Sequence, residues 1–124
     1  MKVLTIRQPY VHAILSGLKH YETRSWKTNY RGKLLIHAGA AKLSPELKKL
    51  ADEYHFTNLQ TGVILLECDL TDCILITEDF KQQQSKSEVD FGDWSVGRYA
   101  WKIKNIKPIN SPIKIKGQLG LWNF

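Results

Sequence analysis

Apolar positions change their spacing several times along the chain, and each change marks an element. The opening Lys2 to Ile6 is β-branched in character, with Val3 starting a period of two, and predicts a short strand. Arg7-Gln8-Pro9-Tyr10 ends that period. Tyr10, Val11, Ile14 and Leu15 then form a helical stripe, with Pro9 suited to a first turn and Gly17 to a stop, so a helix of about two turns follows. From Lys19 to Trp26 the chain reads as extended, with His20, Glu22, Arg24 and Trp26 on one side and Lys19, Tyr21 and Thr23 on the other. Asn29 to Gly32 is a turn, and Lys33 to Ala38 a strongly apolar strand. Ser44 and Pro45 supply a helix cap and first turn, and that helix runs to about His55. The stretch from Val63 to Ile76 is long enough to predict a bent or bulged strand. Glu78 to Ser95, with three consecutive glutamines and alternating charge, predicts a long loop. Strands resume at Arg98 to Ile106 and at Ile113 to Lys116, with Pro108 and Pro112 bounding their connection.

Five to six strands with two helices early in the chain, no strand-helix-strand alternation and no repeat predict an α+β fold: a small mixed β-barrel with two or more helices packed at its side or opening. The 124 residues suit one domain, 1–124, with a core of ordinary size. Apolar runs of only a few residues exclude a helical membrane span, and Met1 to Arg7 lacks the apolar run and small-residue cleavage site of a secretion signal, so a cytoplasmic or nuclear location is the expectation, and we take the cytoplasm. Cys68 and Cys73, without C-x-x-C spacing in an apolar stretch, fit reduced, buried thiols.

Charge sharpens this picture. Eighteen Lys and Arg face twelve Asp and Glu, for a net +6. Residues 100 to 124 hold Lys102, Lys104, Lys107, Lys114 and Lys116 and no acid, which leaves only +1 for the other 99 residues. A polyanion is the partner this asymmetry suggests, and a solvated strand surface that resists edge aggregation is the alternative.

Candidate chemistry is sparse. His12, His20, His37 and His55 show no metal spacing and neither cysteine lies in a zinc pattern, so no metal or other cofactor is expected. Gly117-Gln118-Leu119-Gly120 lacks the Lys-Ser/Thr ending of a phosphate-binding loop and reads as a turn beside the last strand. Between Gly17 and Arg24, however, a cation, a carboxylate and a guanidinium fall within six residues. Glu22 and Arg24 share a strand face, where they can pair while the Arg fork keeps donors free for a phosphate or carbonyl, and Lys19 can swing towards the same mouth. An ion pair that locks a corner explains the same spacing equally well. A second cluster, Phe91 to Trp101, offers aromatic faces and Arg98, the ingredients that hold unpaired bases. Trp101 opens an apolar-alternating strand and should face the core, which leaves Trp94 as the better ligand candidate, an aromatic that pins the loop to the barrel being the commoner alternative.

Together these clusters resemble the ASCH family, which is related to PUA-like RNA-binding barrels, and in particular its coactivator-type branch. Gly17 to Arg24 matches the family motif G-x-K-x-x-E-x-R at every defined position. Leu4 to Tyr10, Gly92-Asp93-Trp94-Ser95, Gly97 to Trp101 and Gly117 to Trp122 are similar to further family segments. The resemblance implies a barrel with helices at one opening and a cleft that binds RNA or a nucleotide, in RNA processing or in regulation of transcription or translation. It puts Lys19, Glu22 and Arg24 in that cleft, with Gln8, Trp94 and Arg98 as neighbours. Some bacterial members are similar to amidohydrolases that deacetylate acetylated cytidine with a Lys and a Thr nucleophile. Here Glu22 stands at the Thr position and Thr23 is one residue out of register, so only a different mechanism, with Glu22 as base and Lys19 stabilising an oxyanion, would serve. A protein-interaction module of the coactivator kind is the third reading, with a protein partner in place of RNA.

Overall fold

A computed structural model describes residues 1–124. Six strands, β1 (Lys2–Ile6), β2 (Tyr21–Arg24), β3 (Gly32–Ala38), β4 (Val63–Leu75), β5 (Tyr99–Lys114) and β6 (Leu121–Asn123), make one mixed sheet in the order β2-β5-β4-β3-β1-β6. Only β1 and β3 run parallel; the other neighbours are antiparallel. The two end strands do not pair with each other, so the sheet curls into a half-barrel rather than a closed one. Helix α1 (Tyr10–Leu15) follows β1, and Gly17 stops it at φ +78, a left-handed conformation that costs glycine little. Helix α2 (Pro45–Glu53) begins where Ser44 Oγ accepts the Leu47 amide.

Burial divides between the two faces of the sheet. On the concave face Leu4, Ile6, Leu34, Ile36, Leu66, Cys68, Leu70, Trp101 and Ile103 pack with Val11 and Ile14 of α1. On the other, Val3, Leu35, Ile64 and Trp122 form a small second cluster covered by Ile109, Ile113 and Ile115. Register shifts at Ile64/Leu66, Glu67/Asp69 and Leu70/Asp72 bend β4 against β5. Those bulges let two long strands serve both clusters. No helix is long and apolar enough to cross a membrane.

Two expectations are corrected. Pro108 and Pro112 do not divide the last third of the chain: β5 runs unbroken from Tyr99 to Lys114. Strand β2 pairs with β5 only at Tyr99 to Lys102, so beyond Lys102 one edge of β5 is open and a missing proline N–H breaks no ladder there. The Glu78 to Ser95 segment is not a plain loop. It holds α3 (Glu78–Gln82) and α4 (Lys86–Asp90), each started by a side-chain cap, Thr77 Oγ1 on the Phe80 amide and Ser85 Oγ on the Glu88 amide. Helices of five residues are too short to show an apolar stripe; the caps were their only sequence signal.

Both cysteines are free, but only Cys68 is fully buried; Cys73 is half-buried. Burial pushes the Cys68 thiol up to about 12. Cys68 is therefore expected to resist iodoacetamide at pH 8 in the folded protein and to react in urea, which peptide mass spectrometry would resolve site by site.

Candidate functional site

Glu22 lies at the centre of the site. Its buried carboxylate sits 3.4 Å from Lys19 Nζ through Oε1, and Oε2 accepts from Arg24 at 2.9 Å from Nη2 and 3.1 Å from Nε. Arg24 Nη2 also donates to the Thr5 carbonyl at 3.0 Å. That bond crosses from the end strand β2 to β1, so a guanidinium closes the side of the half-barrel that no backbone ladder closes.

Lys19 does not swing into the mouth. Its side chain has no exposed surface, and Nζ donates to the Phe91 carbonyl and lies 5.4 Å from the centre of the Tyr10 ring. Burial lowers its pKa, with the Glu22 charge pulling the other way. The strand alternation assumed for Lys19 does not reach it: its amide still bonds to Ala13 in the turn that ends α1, and β2 starts two residues later. Thr23 Oγ1 accepts the Asp93 amide and so fastens the segment after α4 to β2.

Beside this cluster is a cavity of about 690 Å³, walled by Glu22 and Arg24 of β2, Thr5 and Arg7 at the end of β1, Tyr10, His37 of β3, Asp93, Arg98 and the segment Lys116 to Leu119. Four cations, Arg7, Arg24, Arg98 and Lys116, thus face two carboxylates, Glu22 and Asp93. Arg24 and Arg98 are committed; Arg98 Nε donates to the Asp93 carbonyl at 3.2 Å and lies 3.6 Å from its carboxylate. Arg7 and Lys116 are exposed and enter no ion pair.

Of the six candidates from the sequence, Glu22, Arg24 and Arg98 line the cavity, and Lys19, Gln8 and Trp94 lie behind its wall. Gln8 is buried, donating to the Gln60 carbonyl at 2.8 Å and accepting the His12 amide at 3.0 Å, which ties α1 to the chain before β4. Trp94 is only 3% exposed; its Nε1 donates to the Glu88 carbonyl at 2.9 Å, and its ring packs edge-to-face with Tyr21 and at a tilt against Phe80. It pins the α3–α4 segment to the barrel, because an indole between two aromatics buries more apolar surface than one at a wet mouth.

The basic tail is also more balanced than its composition suggests. Lys102, Lys104 and Lys107 stand opposite Asp72, Asp69 and Glu67 of β4; none of the three closes an ion pair, Glu67 and Asp72 reaching Lys33 and Arg31 instead, so these cross-strand charges offset each other only in part. Lys116 instead reaches the cavity. Thr5, Arg7, Tyr10, His37 and Lys116 were not among the candidate site residues of the sequence; Thr5, Arg7 and Tyr10 lie in the family-like segment Leu4 to Tyr10, whereas His37 and Lys116 come from elsewhere in the chain. No group of three His, Cys, Asp or Glu side chains lies close enough to hold a metal ion.

The ASCH domain profile matches residues 4–114. Human activating signal cointegrator 1 is 33% identical over 131 aligned positions and its mouse counterpart 31%, each alignment covering 98% of this chain. This chain belongs to the ASCH family. It spans about a fifth of the length of these relatives, whose alignments cover 22% of each, and it is the relatives that are of the coactivator type.

Within this ASCH domain the motif carboxylate has a structural duty. Glu22→Gln would leave Lys19 buried without its counter-charge and weaken the Arg24 tie, and we expect a loss of about 3 kcal/mol in urea unfolding at pH 7. At the rim, hydrogen bonds from the Ser95 hydroxyl and amide hold the Asp93 carboxyl below its ordinary 3.8. A folded-state pKa below the unfolded one adds stability above about pH 4 that is lost as pH falls through the folded value. Ser95→Ala should raise the Asp93 titration, followed by carboxyl NMR, and shrink that pH-dependent difference in stability.

Proposed function

We propose that this ASCH domain binds single-stranded RNA or a nucleotide in the cleft, phosphates meeting Arg7 and Lys116 at the rim and a base entering beside Tyr10 and Arg24. The observation that carries this reading is the pair of unpaired cations at the mouth of a cavity large enough for a nucleotide. Arg24 and Glu22 keep the wall in place, and Arg24 presents the exposed quarter of its side chain to a ligand. Selectivity then belongs to the cavity and attraction to the rim. The relatives' name, activating signal cointegrator, supports a setting in regulation of transcription or RNA processing. The same name favours a second reading, a module that docks a protein partner in this cleft. Deacetylation of an acylated nucleoside has less support, since Lys19 is bound to Phe91 and Glu22 and does not line the cavity.

Fluorescence anisotropy with a labelled single-stranded RNA across a salt series tests the proposal. Affinity should fall with salt, and Arg7→Ala and Lys116→Ala should each weaken binding and lower the slope of log K against log salt by about 0.7. Lys107→Ala, opposite Glu67, should change little. Absence of binding at low salt, or binding unchanged in the Arg7/Lys116 double variant, would overturn it.

A further inference from the structure

His37 stands on β3 opposite Thr5 of β1 and lines the cavity. Its ring has no exposed surface. Nε2 lies 2.7 Å from the Ile115 carbonyl; a carbonyl can only accept, so Nε2 carries a proton, and in the tautomer this bond selects Nδ1 is a lone-pair acceptor. That Nδ1 is the one buried side-chain polar atom without a hydrogen-bond partner. An orphaned buried acceptor is costly, and proteins keep few of them without a use.

What covers Nδ1 is the backbone of Gly117. A Cβ built there would fall 3.0 Å from Nδ1 and 2.9 Å from Thr5 Oγ1, so the residue touches the ring only because it is glycine. The roof is loosely held. Residues 116 to 120 enter no backbone ladder, a second glycine, Gly120, sits at φ +65, and Leu119 is 98% exposed. Thr5 Oγ1 accepts from Trp122 Nε1 at 3.0 Å, which leaves its own proton free to donate. Under a shallow roof, then, the inner end of the cleft holds one acceptor and one hydroxyl donor side by side. The two carboxylates of the wall are already engaged, Glu22 with Lys19 and Arg24 and Asp93 with Ser95 and Arg98.

We propose that, with the Gly117 backbone displaced from over it, His37 Nδ1 reads the exocyclic amino group of a bound base, so that the cleft takes cytosine or adenine in preference to their oxo counterparts. The inference rests on the RNA or nucleotide reading above and adds the class of base to it. An amino group donates N–H to Nδ1. An oxo group at the same position, O4 of uracil or O6 of hypoxanthine, would turn lone pairs against the lone pair of His37, and the site then rejects it because a buried acceptor stays unpaired.

The test uses the unaltered chain and four labelled RNA oligomers of equal length and charge, oligo(C), oligo(U), oligo(A) and oligo(I), at one salt concentration. At least one amino-bearing oligomer should bind about tenfold more tightly than its oxo partner. On adding it, the His37 Nδ1 resonance in a nitrogen-15 spectrum should move to the position of a hydrogen-bonded acceptor while Nε2 stays in place. His37→Phe should bring both members of the pair to one affinity; the ring-nitrogen spectrum decides without that variant should it fail to fold. Binding with no difference in either pair, or a preference with an unmoved Nδ1, would overturn the role of His37 and leave nucleic-acid binding standing. Binding of none of the four would overturn both.

Discussion

A sheet that curls but does not close must be held across its gap by something other than a strand, and here the holding group is Arg24. Its guanidinium reaches from β2 to the Thr5 carbonyl on β1 while gripping the Glu22 carboxylate, which also faces the buried ammonium of Lys19. Each member depends on the others. Lys19 is buried at a desolvation cost that the Glu22 carboxylate offsets. The motif G-x-K-x-x-E-x-R therefore encodes a closure: glycine turns the chain out of α1, lysine anchors it to the Phe91 carbonyl, and the Glu–Arg pair fastens the strand that follows to the far side of the barrel.

This closure also makes the cleft. Because β2 and β1 are joined through side chains, a space remains between them that a backbone ladder would have filled. Its walls are the flanks of the clasp, and its rim carries Arg7 and Lys116, which enter no ion pair. The formal charge of the chain is a poor guide to where a polyanion would be drawn: three lysines of β5 lie across from acids of β4, whereas Arg7 and Lys116 stand at the cavity and enter no ion pair. Gly117 completes the inner end by lying where no side chain could, over the unpaired nitrogen of His37.

The α+β class, the barrel-like sheet of five to six strands, both longer helices and the bend of β4 were legible in the chain, since each rests on local periodicity or on a cap such as Ser44. The motif identified the family for the same reason, its residues being contiguous. Trp94 and Gln8 were misplaced because an aromatic or an amide in a loop looks the same in sequence whether it meets a ligand or a carbonyl of its own chain. Pro108 and Pro112 were read as breaks because nothing local announces that one edge of a strand has no neighbour.

By itself, then, the sequence determined which segments become strands and helices and which eight residues form the Lys–Glu–Arg cluster, because spacing along the backbone decides faces and turns. Only the tertiary structure decided what that cluster does. Burial turned Lys19 from a mobile cation into a fixed prop, cross-strand register set Lys107 against Glu67, and the curl of the sheet brought Thr5, Arg7, His37 and Lys116 to one cavity. Those outcomes depend on which distant groups share a low-dielectric space, and no spacing within a single segment carries that information.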